Sequence, residues 1–151
     1  MTEGLRTVAV AAFAVAAGLS WQSLRTSSIA ATSAERLVAE LRLAQMAALV
    51  LTLSAGAYVG LAVAQEARLG TGFDVAFAIG FLIVAGYTMV LDPRVALPVL
   101  ALGFAGLAVL SVAHRPGLLP DDLAPRWYTI GSAIFNVYIG ALCYWPMLRR
   151  P

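Results

Sequence analysis

The chain has 151 residues, 61% apolar and 12% charged, about half the roughly 25% charge of a soluble domain. So little charge could not cover a water-facing globule, whereas a bilayer removes that requirement. The formal charge of +2, with no basic run longer than Arg149-Arg150, excludes a nucleic-acid binder, and one cysteine (Cys143) with one histidine (His114) excludes an intrachain disulfide, a cysteine-built zinc site and bis-histidine haem ligation.

All ten cationic residues are arginine, and they punctuate apolar stretches of membrane-spanning length. The first stretch, residues 7–24, lies between Arg6 and Arg25. It is read as a retained membrane helix. The alternative is a signal peptide or a peripheral N-terminal helix, because small residues follow around 30–34.

The second stretch, residues 43–65, has no charge between Arg42 and Glu66. Thr32-Ser33-Ala34-Glu35 fits a capping box, with Glu35 reaching back to the cap. No Gly or Pro follows until Gly56, so one continuous helix is expected from about Ser33 to about Gln65. Its first ten residues would project about 15 Å from the bilayer as a solvated extension. Arg36 and Glu40, four apart, can pair there. Farther along, Ala48, Thr52, Gly56, Gly60 and Ala64 recur every four residues and include a GxxxG motif. Small residues in register let helices approach closely, the main attraction available in lipid. The stripe therefore predicts a packing face toward another helix of this chain or toward another subunit.

The third stretch, residues 73–91, begins after Gly70-Thr71-Gly72 and carries a row of Phe73, Phe77 and Phe81, read as a ridge facing lipid or a partner. Asp92-Pro93-Arg94 reads as a tight hairpin turn into the fourth stretch, residues 95–114. Pro116, Gly117, Pro120 and Pro125 mark an extramembrane loop before the fifth stretch, residues 127–148. Trp127 and Trp145 stand 18 residues apart in it, about 27 Å along a helix, which matches two interfacial belts. Ser132, Asn136, Gly140 and Cys143 share one face, with Asn136 near the midplane. A carboxamide in hydrocarbon needs a partner, so Asn136 is expected to turn inward and to be hydrogen-bonded.

The fold class that follows is all-α: a multi-pass transmembrane bundle of five helices, or four if the first is a signal peptide or peripheral. Sidedness follows the arginines. With five spans, Arg25, Arg36, Arg42, Arg94, Arg149 and Arg150 share one side against Arg6, Arg68, Arg115 and Arg126. The four-span count is seven against three, and both place the C-terminus in the cytoplasm. The expected setting is a bacterial inner membrane. A reporter fused after Pro151 should behave as cytoplasmic; a periplasmic signal would reverse the orientation.

Function is less legible. No Asp, Glu, Arg or Lys falls inside the uncharged stretches, which for the third helix run from residue 75, just after Asp74, and this argues against ion-coupled transport. His114, Asp121 and Asp122 form a polar cluster on the outer side, and no metal motif or cofactor site is recognisable. The first expectation is a non-catalytic helical subunit or accessory protein, partnered by lipid and by other subunits or copies of itself. A neutral channel or small-molecule carrier is the alternative, and an enzyme working around His114 is the third.

Overall fold

Each apolar stretch folds into one helix, and the computed structural model describes residues 3–64, 71–113 and 126–149. The helices are α1 (Glu3–Ser28), α2 (Ala34–Ala64), α3 (Thr71–Thr88), α4 (Pro93–Ala113) and α5 (Arg126–Leu148). Four of them, all but the shorter α3, are long and apolar enough to cross a membrane. The molecule is thus an all-helical bundle of membrane type, with no strand among the described residues.

α2 organises the bundle, because it alone touches the other four helices. Around it α1, α5, α4 and α3 form an arc in that order: α1 meets α5, α5 meets α4, and α4 meets α3. α1 and α3, at the ends of the arc, do not meet among the described residues. The inward positions of α2 are small: Ala39, Ala44, Ala47, Ala48, Ala55 and Ala62 are all buried, with Leu43 and Leu51 between them. Burying apolar side chains yields little when the alternative is lipid, so alanines that admit close backbone contact are what hold such helices together. α4 and α5 also approach closely. A Cβ placed on Gly140 would lie 3.3 Å from the Ala101 carbonyl oxygen and 3.3 Å from Phe104 Cβ.

The helix ends follow local chemistry. α2 is unbroken between Arg36 and Leu43, as its lack of Gly and Pro predicts. Its cap, however, is Ser33: Ser33 Oγ accepts the Arg36 N–H at 3.2 Å, while Glu35 is exposed. The capping box that places Glu35 opposite Thr32 is therefore one residue out of register. With Ser33 as cap, Arg36 becomes the third helical residue and points inward. At the α3–α4 turn, Asp92 Oδ1 accepts the Arg94 N–H at 2.8 Å and Pro93 opens α4, the first-turn position where its missing N–H costs nothing.

Three expectations need correcting. The start of α2 is no solvated extension, because Arg36 and Glu40 are only 3% and 2% exposed. Arg36 Nε donates to Glu40 Oε1 at 3.1 Å, Nη1 to the Ile29 carbonyl at 2.8 Å and Nη2 to the Pro146 carbonyl at 2.7 Å. The second correction concerns burial: Arg36, Glu40 and Asp74, read as lying outside the uncharged stretches, are all buried within helices. Third, within this chain the small-residue stripe of α2 is not a packing face. Ala48 is buried, but Thr52, Gly56, Gly60 and Ala64 are exposed, and a Cβ on Gly56 or Gly60 would meet nothing within 4 Å. The stripe looks out through the gap between α1 and α3. Of the phenylalanine row, Phe73 and Phe77 face outward, whereas Phe81 turns onto α4, with its Cε1 3.0 Å from where a Cβ on Gly106 would stand.

Candidate functional site

α1 is pinned at one end only. Its hydroxyl and amide side chains cluster in the last third, and those are the ones that bond to neighbouring helices. Ser23 Oγ donates to the Leu142 carbonyl at 2.8 Å. That carbonyl lacks its own helical partner because Pro146, four residues on, has no N–H. Ser20 and Tyr138 meet oxygen to oxygen at 2.7 Å; since Ser20 also donates to the Ala16 carbonyl at 2.6 Å, its single proton is taken and Tyr138 is the donor. Gln22 Nε2 donates to the Ala39 carbonyl at 3.3 Å. The first two-thirds of α1 has no such anchor to another helix, and its first buried residue is Leu19.

The consequence is a cleft. Toward the Trp127 end, α1 stands away from α2 and α5 and encloses about 500 Å³, within the size of small-molecule sites. Leu5, Val8 and Ala12 form one wall, Leu53 and Ala57 a second, and Trp127, Gly131, Ser132 and Phe135 the third. Among the described residues no charged side chain lines it. Val8 and Leu53 are 46% and 71% exposed, so the cleft opens sideways, toward lipid rather than along the bundle axis.

Behind the cleft a polar seam joins three helices. Tyr58 of α2 lies 2.5 Å from Ser111 of α4, oxygen to oxygen. Ser111 donates to the Leu107 carbonyl at 2.8 Å, which uses its proton, so Tyr58 is the donor to Ser111. Ser111 Oγ is 3.4 Å from Ser132 Oγ on α5, and Asn136 Nδ2 donates to that same Ser132 oxygen at 3.1 Å. The Tyr58 ring also stands edge-on to Tyr128, centroids 6.4 Å apart. Asn136 is fully buried, as its cost in lipid requires, but its carbonyl oxygen has no hydrogen-bond partner. Ser132 is the hinge of the arrangement, because it both lines the cleft and holds Asn136.

The two intramembrane polar residues singled out in the sequence, Ser132 and Asn136, are therefore brought together. Their link to α2 runs through Tyr58 and Ser111, which sequence reasoning passes over. A signal was present: a tyrosine hydroxyl within an apolar span must find a partner. Gly140 closes the same α5 face against α4, and Cys143 is buried in the core as a free thiol. His114, Asp121 and Asp122 lie outside the described residues. Among the described residues no group of His, Cys, Asp and Glu could hold a metal. The seam is uncharged throughout, so it can fix a neutral polar group and contributes no nucleophile–base pair. No family model, curated protein or solved structure matches the chain.

Proposed function

We propose that the protein is a multi-pass, non-catalytic subunit or accessory protein of a membrane complex, with its Trp145 end in the cytoplasm. The uncovered stripe of α2 is the observation that carries this reading. The most central helix of the bundle leaves Thr52, Gly56 and Gly60 open in the gap between α1 and α3. Small residues facing lipid make few contacts with acyl chains, whereas against a second helix they allow backbone contact. The occupant of the gap is a helix of another subunit or of a second copy. The arginine asymmetry supports the orientation.

Gly56→Ile and Gly60→Ile test this directly. Both sites have open space around a new Cβ, so the bundle itself should tolerate the change. In mild detergent the native chain should run as an assembly larger than one protomer by light scattering, and either variant should reduce it to a single chain. A native single chain, or variants that keep the native mass, would sink the docking reading. The uncharged seam favours a second reading, a carrier of a neutral molecule. The enzyme reading around His114 has no described geometry behind it.

A further inference from the structure

The cleft and the seam together define a ligand. We propose that the space between α1, α2 and α5 binds one long-chain alcohol, an acyl or prenyl chain ending in an uncharged hydroxyl, drawn from the bilayer. This does not depend on the assembly proposed above.

The walls set the chain. They are apolar and open sideways among exposed residues such as Val8 and Leu53, so an occupant enters from the lipid phase. Depth sets the kind of head group. Ser132 is five residues below Trp127, about 8 Å along the helix. A phospholipid keeps its phosphate at the interface and cannot place it there. A free carboxylate would bring a charge into a site that no cation lines among the described residues. Hydrogen bonding then selects the hydroxyl. Ser54, Tyr128 and Ser132 line the cleft and carry hydroxyls, and the buried Asn136 amide fixes the Ser132 oxygen. A ligand hydroxyl can accept from one of these groups and donate to another, while a plain alkane pairs with none. The one-ended pinning of α1, by Ser20, Ser23 and Gln22, leaves its free part able to move aside as the chain enters.

The test uses Trp127, which lines the cleft, as the reporter. Of the three tryptophans, Trp21 and Trp145 are exposed and are changed to Phe. The protein is reconstituted in phosphatidylcholine vesicles and titrated with bromoundecanol, whose bromine quenches indole fluorescence. Bromoundecane and bromoundecanoate are the comparison probes. Saturable quenching by the alcohol is expected, against a linear partition response to the alkane and the carboxylate. Gly131→Leu should abolish saturation, because the new side chain fills the cleft at a position where a Cβ meets nothing else. Ser132→Ala should weaken binding about tenfold, the loss of one hydrogen bond. Equal saturation by bromoundecane overturns the role of the hydroxyl, and equal saturation by bromoundecanoate overturns the neutral head. Saturation that survives in Gly131→Leu overturns the site. Native circular dichroism and chromatographic behaviour of Gly131→Leu keep its result readable if Ser132→Ala fails to fold.

Discussion

Replacing Arg36 with alanine should destabilise the bundle by about 3 to 5 kcal/mol, the range for removing one partner of a buried ion pair. The guanidinium is almost fully buried and spends donors on three separate elements: Glu40 on its own helix, Ile29 just past the end of α1, and Pro146 in the last turn of α5. Carbonyls at helix ends have no intrahelical donor, and the C-terminal end of a helix favours a positive charge. Arg36 therefore ties the ends of α1 and α5 to the start of α2. Alanine would remove all three bonds, the one to Glu40 among them. Lysine should recover little, because one ammonium cannot reproduce the planar fork that reaches three acceptors. The double variant Arg36→Met with Glu40→Leu should be less harmed than Arg36→Ala, since it replaces both buried charges with apolar side chains of similar size. Unfolding in mixed micelles of increasing sodium dodecyl sulfate measures each difference. A loss below about 1 kcal/mol for Arg36→Ala, the value of an exposed pair, would mean that the knot is solvated after all.

Gly140→Leu should cost about 3 kcal/mol or more by the same measurement, at the upper end of overpacking penalties. The helices α4 and α5 form the most extensive pair in the bundle. At Gly140 the obstacle includes the Ala101 backbone oxygen, at 3.3 Å from a new Cβ, and a main-chain atom cannot rotate away. Gly140→Ala needs only a few tenths of an ångström of give and should be mild. Leucine adds three further carbons and must separate the two helices, which also pulls Ser132 away from Ser111. By contrast, Gly131→Leu, about two and a half turns earlier on the same helix, meets open space and should leave stability nearly unchanged. If the two glycines responded alike, the close α4–α5 contact would be disproved.

These two sites show where sequence reasoning reached and where it stopped. Gly140 was legible as part of the Ser132–Asn136–Cys143 face, because an amide near mid-membrane must turn toward protein and its neighbours one turn away turn with it. Arg36 was legible only as half of an i, i+4 pair. Its other acceptors are carbonyls, which carry no sequence identity, and one belongs to a residue 110 positions away. The pairing of Ser23 with Leu142 is the same case: Pro146 announces a freed carbonyl, but nothing local names the donor.

Helix number and type came from the sequence alone, because water and hydrocarbon differ so strongly that charges, prolines and aromatic belts mark every boundary. Which side of each helix faces protein was decided by tertiary structure. Lipid and protein interior are equally apolar, so hydropathy cannot separate them. α2 makes the point: it carries small residues on more than one face. Those at Ala44, Ala48, Ala55 and Ala62 are buried, while the more conspicuous Gly56 and Gly60 look outward. The cleft is likewise a tertiary property, since it exists because α1 is fastened at one end while its other end stands clear of α2 and α5.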